Sequence, residues 1–136
     1  MKKRSRPARG QSLVEFALIL VVLLILLGGM IDMGRVLAVY VRLNDAAQEG
    51  AAYAAIRPAD TAGIRQRALS QTHSSTASVN VAFLNAPCAG QGVEVKVQDA
   101  VPLIFPFTRV FLPGGSVAVR ATSVNTVLRP ACVASP

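Results

Sequence analysis

An uncharged apolar run near the beginning of the chain constrains the fold more than any other feature. Residues 16–31 read FALILVVLLILLGGMI, which is sixteen residues without a charged side chain. Adding Leu13, Val14 and Glu15 gives nineteen residues, close to the roughly 20 residues that a helix needs to cross the core of a bilayer. The sequence therefore predicts a membrane-spanning helical segment over residues 13–31.

Positive charge is concentrated in front of this segment. The 136-residue chain has a formal net charge of +7, and five basic residues precede the segment: Lys2, Lys3, Arg4, Arg6 and Arg9. Residues 11–136 hold nine basic and seven acidic residues, a net charge of only +2. By the positive-inside rule, residues 1–10 are a cytoplasmic basic leader and the chain after the segment lies across the membrane. The later basic residues are scattered, so they do not predict a nucleic-acid partner.

The apolar segment is predicted to be the first half of one long helix. Pro58 is the first proline after the leader, so no proline interrupts a helix over residues 11–57. Such a helix is roughly 70 Å long at 1.5 Å per residue, which exceeds the thickness of a bilayer. Ser12 and Glu15 match a capping box, which predicts that the helix begins near Ser12.

The second half of this helix is predicted to be amphipathic. Asp32 and Arg35 are opposite charges three residues apart, and therefore helix neighbours. Small residues recur farther along the helix: Ala46, Ala47, Gly50, Ala51 and Ala54. Small side chains at this spacing let another backbone approach closely. The partner is either the chain's own sheet or the helix of another subunit. Gly28 and Gly29, inside the span, mark a packing site or a place where the helix loosens, or have no special role, since glycine is common in membrane helices.

The remaining residues, 58–136, are predicted to form a small α+β domain. A short helix over 61–71 and a polar linker are followed by segments in which apolar and polar residues alternate. The alternation begins at Val79, Val93 and Val117. It predicts about three strands of a small antiparallel sheet. The proline-spaced apolar stretch 102–107 is predicted either to pack over the helix or to form an exposed contact surface.

Two cysteines, Cys88 and Cys132, lie on the predicted outer side of the membrane. An oxidising compartment permits a disulfide between them, which typically stabilises a small domain by about 2–4 kcal/mol. We favour this bridge, because it would tie the C-terminus to the sheet. The alternative is a pair of partly buried thiols, and spacing alone does not decide between the two.

The sequence carries no pattern that predicts catalysis. His73 is the single histidine and lies in a polar run typical of a surface loop. No zinc-type spacing of cysteine and histidine, no nucleophile elbow and no phosphate-binding glycine loop is present. We therefore expect no enzymatic activity, no metal, no cofactor and no small-molecule substrate.

Glu15 has two interpretations. A glutamate near a helix N-terminus interacts favourably with the helix dipole, which would make it structural. Alternatively, a peptidase cuts after Gly10, Gln11 acquires a free α-amine, and Glu15 becomes the fifth residue of the mature chain. When subunits stack through their helices, the carboxylate enters an apolar core, where a neighbour's α-amine, or its own, offsets the cost of burial.

Three blocks of sequence resemble a known family. They are GQSLVEFA at 10–17, DMGR at 32–35 and LNDAAQEGAAYAA at 43–55. Together with the apolar run they resemble the TadE-like family, minor pseudopilins of the tight-adherence (Flp-type) pilus system. The resemblance covers about residues 10–56. The chain departs from the family pattern by lacking a proline in the apolar run and by carrying Gln48 and Ala52 where arginine is favoured.

The resemblance implies a role in pilus assembly. It implies cleavage between Gly10 and Gln11 by a prepilin peptidase, a single-pass anchor in the bacterial inner membrane, and a periplasmic C-terminal domain. By the same resemblance, Glu15 matches the glutamate that acts in assembly in this family. The implied partners are other pilins or pseudopilins and the membrane assembly platform. Entry into the filament and priming of assembly at its base both stay open.

The main alternative function is a membrane-anchored interaction domain. Such a protein has the same single span and the same periplasmic domain, but it is never processed or polymerised. It would retain residues 1–10, whereas a processed pseudopilin begins at Gln11.

Overall fold

A computed structural model describes residues 10–111 and 114–130. In chain order its elements are α1 (Gln11–Ile56), α2 (Thr61–Thr72), β1 (Ser78–Phe83), β2 (Gly92–Pro102), α3 (Pro106–Phe111) and β3 (Ser116–Thr126). The strands form one antiparallel sheet in the order β1-β2-β3. The predicted α+β class, with a long N-terminal helix and a three-stranded antiparallel sheet, is confirmed.

The end of α1 follows from the proline that comes next. A proline ring disfavours the helical conformation of the residue before it, and Arg57 accordingly has φ −131° and ψ 66°. The Arg57 backbone amide still donates to the Tyr53 carbonyl at 2.9 Å. Pro58 itself is a buried residue of the turn between α1 and α2.

The predicted capping box at the start of α1 is wrong. Gly10 occupies the N-cap position, and no side chain caps the helix. Because the helix already begins at Gln11, Ser12 is a helical residue and its hydroxyl is not placed as an N-cap acceptor. The first turn contains no acidic residue, so Glu15 lies one turn into the helix.

The core lies between one face of the sheet and the two longer helices. The second half of α1 covers β2 and β3, and α2 covers β1. Val93, Val95 and Val97 alternate along β2 and are fully buried. Each such side chain contributes about 1.5–3 kcal/mol when it leaves water. The valines that alternate with polar residues in the sequence therefore form the buried face of β2.

β2 is longer than its clearest sequence pattern. The strand continues to Pro102, because Val101 extends the same buried face. Asp99 also falls on this face, and its carboxylate accepts a hydrogen bond from the Thr76 hydroxyl at 2.6 Å. The extension brings residues 102–108 alongside α1.

Candidate functional site

The first half of α1 presents apolar side chains to its surroundings. Every residue from 11 to 27 is exposed. Among the described residues, α1 is the helix that is long and apolar enough to be a membrane anchor. Since a contiguous apolar surface of this size is unusual on a soluble monomer, lipid or protein is the suitable environment for it.

The predicted processing junction lies at the exposed start of this helix. A Cβ added at Gly10 would meet no atom within 4 Å. Gln11 and Glu15 are four residues apart in α1, so they lie on one face of the helix. The Glu15 side chain is exposed, and it makes no hydrogen bond or ion pair with any residue that the structure describes. Leader residues 1–9 lie outside the described residues.

Asp32 occupies the position where the apolar run ends, and its side chain is only 3% exposed. Its carboxylate accepts hydrogen bonds from the backbone amides of Ile104 at 3.1 Å and Phe105 at 3.3 Å. The Thr108 hydroxyl donates a third hydrogen bond at 2.7 Å. These three hydrogen bonds compensate the carboxylate for the water that it loses on burial. Asp32 thus holds a segment that is more than 70 residues away in sequence.

Arg35 reinforces this contact from the next turn of α1. Its Nη1 donates to the Pro102 carbonyl at 3.0 Å and lies 3.8 Å from Asp32 Oδ1. The Asp32–Arg35 neighbourhood predicted from their spacing is therefore present. We call residues 102–108 the docked segment, because Asp32 and Arg35 attach it to α1.

Gly28 provides the third attachment point of the docked segment. A Cβ added at Gly28 would lie 2.5 Å from Phe105 Cδ1, so the aromatic ring occupies the space that a side chain would need. Gly29 has no neighbouring atom within 4 Å of such a Cβ. Of the interpretations left open for this glycine pair, the structure therefore shows packing at Gly28 and not at Gly29.

The hydrogen bonds around Asp32 also change its acidity. The donor hydroxyl of Thr108, followed by the amides of Ile104 and Phe105 and the charge of Arg35, lowers the pKa of the Asp32 carboxyl below its ordinary value of 3.8. Burial acts in the opposite direction, because it disfavours the charged form. The net effect keeps the carboxylate ionised where it accepts these hydrogen bonds.

The sequence predicted Asp32 only as a partner of Arg35. Its contacts with Ile104, Phe105 and Thr108 were missed because they are long-range, and no local spacing encodes them. The signals that were present are an acidic residue directly after an apolar run and a proline-spaced apolar stretch later in the chain. The structure joins these two features.

The small-residue face of α1 lies inside the molecule. All five predicted packing residues are buried: Ala46, Ala47, Gly50, Ala51 and Ala54. A Cβ at Gly50 would lie 3.2 Å from both Ala68 Cβ of α2 and Val95 Cγ1 of β2. This face therefore packs on the chain's own second helix and sheet, which was one of the two partners left open.

A different face of α1 stays uncovered beyond the predicted span. Met33, Leu37 and Tyr40 are exposed at helical spacing. Together with residues 117–120 of β3 they line an open, mainly apolar groove of about 310 Å³. We call this surface the α1–β3 groove. Its apolar side chains are accessible to another protein.

The two cysteines, the single histidine and a possible metal site are the remaining features to locate in the structure. Cys88 is buried, whereas Cys132 lies outside the described residues, so the disulfide stays a prediction. His73 is exposed at the C-terminal end of α2. Across 10–111 and 114–130, no three His, Cys, Asp or Glu side chains cluster in a way that could hold a metal ion.

Comparison with known proteins identifies one similarity. A family model described as TadE-like protein matches residues 10–52, which is 43 of the 136 residues. The match confirms the resemblance found in the sequence, and it includes the Gly10 junction, the apolar run, Asp32 and Arg35. It indicates a component associated with the Tad pilus. No curated protein and no solved structure matched the chain.

Proposed function

We propose that this chain, which is similar to TadE-like proteins over residues 10–52, is a pseudopilin-like structural component of a tight-adherence pilus assembly or secretion system. α1 anchors it in the bacterial inner membrane, with residues 1–10 cytoplasmic and residues 58–136 periplasmic. A prepilin peptidase removes the leader after Gly10. The partners are other pilins or pseudopilins and the membrane assembly platform, and the role is structural rather than enzymatic.

The observation that carries this proposal is the division of α1 into two environments. The helix is continuous from Gln11 to Ile56. Its first half is apolar and exposed, whereas its second half contributes a buried face to the domain core. One rigid element thus joins an apolar stem to a folded head, and the family match extends across both parts.

Glu15 supplies the assembly step. When the apolar stems of several subunits pack together, an unpartnered carboxylate one turn into the stem becomes costly. The α-amine that cleavage creates at Gln11 provides the compensating charge. Because this amine exists only after processing, the pairing would admit mature subunits and fix their axial register.

The α1–β3 groove is a candidate contact surface for a protein partner. Its apolar side chains Met33, Leu37 and Tyr40 continue past the end of the predicted span, where lipid acyl chains no longer cover them. An exposed apolar surface of this kind on a folded domain is typical of an interaction site. A neighbouring pilin or platform helix is the partner that the helical spacing of these residues suits.

Substitution of Glu15 tests the proposed assembly role. Glu15→Ala should leave the amount of protein in the membrane fraction unchanged, because removal of a charge favours insertion. Pilus number per cell should fall at least tenfold, as counted by electron microscopy. Glu49→Ala is the matched control on the same helix, since the exposed Glu49–Arg67 pair, 3.4 Å apart, stabilises by at most about 1 kcal/mol. Wild-type piliation in the Glu15 variant would contradict the register role.

A further inference from the structure

The docked segment presents apolar side chains outward while its polar groups face inward. Ile104 is 58% exposed and Phe107 is 48% exposed. The amides of Ile104 and Phe105 and the Thr108 hydroxyl all donate to the Asp32 carboxylate. The outward surface of the segment is therefore apolar. The exposed side chains take no part in the hydrogen bonds that attach the segment to Asp32.

The position of the segment along α1 places this apolar surface at the end of the predicted span. Phe105 packs on Gly28, which is three residues, or about 4.5 Å along the helix axis, before the end of the span at Ile31. Asp32 and Arg35, the charged attachment points, follow directly after the span. The segment thus crosses the level at which acyl chains give way to headgroups.

The end of the span and the docked segment both expose apolar side chains. Leu27 and Ile31 are exposed near the end of the span, and the Phe105 ring packs on Gly28 in the same stretch of helix. Apolar and aromatic side chains next to a polar face are typical of elements that lie in the interface, about 5–10 Å deep. A lipid surface therefore suits the exposed side chains of the docked segment, both by their position along the bilayer normal and by their apolar chemistry.

We propose that the docked segment is a membrane-interface anchor. Ile104 and Phe107 insert between the headgroups and the upper acyl chains of the leaflet through which α1 leaves the bilayer. This second contact, held to α1 by Asp32, Arg35 and Gly28, fixes the tilt of the domain on the membrane surface. The inference rests on the membrane anchoring stated under Proposed function, and it adds a second lipid contact to it.

Tryptophan fluorescence tests the insertion directly, because the chain contains no tryptophan. Three single-tryptophan variants of the full chain are reconstituted in phosphatidylcholine–phosphatidylglycerol vesicles: Phe107→Trp, Leu128→Trp and Leu20→Trp. Leu128 is the matched control, since it is 66% exposed and its amide is bound to Ala55, about 40 Å along α1 from Gly28. The Leu20→Trp variant measures whether residues 13–31 lie in the bilayer. Each variant is measured with lipids brominated near the headgroup or deep in the acyl chain.

The expected result is position-dependent quenching. Headgroup-proximal bromines should reduce the Phe107→Trp emission by at least half, deep bromines should quench Leu20→Trp, and neither should affect Leu128→Trp. Quenching of Leu20→Trp without quenching of Phe107→Trp would overturn the interface anchor and leave the span intact. Emission from Phe107→Trp that shifts with protein concentration but not with bromine would identify a second copy as the occupant and also overturn the proposal. No quenching at Leu20→Trp would overturn the membrane anchoring itself.

Discussion

At the scale of single residues, Gly28 and Gly29 have the same side chain and opposite surroundings. The Phe105 ring covers Gly28, whereas space next to Gly29 is open. A glycine inside a helix costs about 1 kcal/mol relative to alanine, and only the contact of Gly28 with Phe105 compensates for this cost. The pair therefore offers an internally controlled comparison.

We expect Gly28→Ala to loosen the docked segment. Overpacking typically costs about 1–3 kcal/mol, against about 1 kcal/mol recovered from helix propensity. Hydrogen exchange at the Ile104 and Phe105 amides should accelerate several-fold, since these amides lose Asp32 when the segment moves. Gly29→Ala should leave the exchange unchanged. Equal exchange rates in both variants would show that Phe105 does not occupy the space seen in the structure.

Asp32 gives the docked segment a dependence on pH. Its pKa is lowered in the folded protein, chiefly by the Thr108 hydroxyl and against the effect of burial, so the folded state favours the carboxylate. The resulting stabilisation is fully present above the unfolded pKa of about 3.8 and is lost as the pH falls through the folded pKa. Protonation weakens the hydrogen bonds with the amides of Ile104 and Phe105.

Comparison with Asp32→Asn isolates this dependence. At neutral pH the variant should show faster exchange at the Ile104 and Phe105 amides than the wild type, because an amide offers one acceptor oxygen instead of two. The difference should shrink below pH 3.8. Asp45→Asn, an exposed position on the same helix, controls for loss of charge. A difference that is constant with pH would contradict the assigned role of the carboxylate.

At the scale of elements, α1 packs closely because its inner face is made of small residues. Gly50 allows α2 and β2 to approach so closely that even a Cβ would stand 3.2 Å from its neighbours. Gly50→Leu should therefore lower the free energy of unfolding of the domain by about 1–3 kcal/mol or more. Ala52→Leu, on the exposed side of α1, should change it by less than about 0.5 kcal/mol. Chemical denaturation of the reconstituted protein measures both, and equal stability would contradict the packing described.

The elements differ in how far the sequence predicts them. α1 and the β2 face follow from local patterns: an uninterrupted apolar helix, and valines at every second position. For the proline-spaced stretch 102–107, packing over the helix was one of two predicted possibilities, and no local pattern decides between them, because Asp32 and Thr108 are 76 residues apart. The predicted capping box is wrong, since a helix that begins at Gln11 has Gly10, and not Ser12, at the N-cap position.

At the scale of the whole molecule, α1 connects the proposed membrane stem with the folded domain. The docked segment adds a side attachment at the junction, through Gly28, Asp32 and Arg35. Because these contacts lie within three turns of helix, the domain cannot rotate freely about the stem. A stiff junction suits a subunit whose stem packs with neighbours while its α1–β3 groove contacts a partner outside the bilayer.

The intact mass of the mature protein tests whether the leader is removed after Gly10. The protein is purified from cells with an active prepilin peptidase and from a peptidase-deficient strain, and its intact mass is measured. Intact mass is preferred to a tryptic digest, because trypsin cuts after Arg9 and produces a fragment that begins at Gly10. Gly10→Val is the substrate-side control: a side chain at this position meets no atom within 4 Å, so blocked cleavage would not reflect misfolding.

We expect a chain that begins at Gln11 in the active strain. We expect a chain with the leader intact both in the deficient strain and in the Gly10→Val variant. A mass that retains residues 1–10 in cells with an active peptidase would contradict the processed pseudopilin and support the unprocessed membrane-anchored domain.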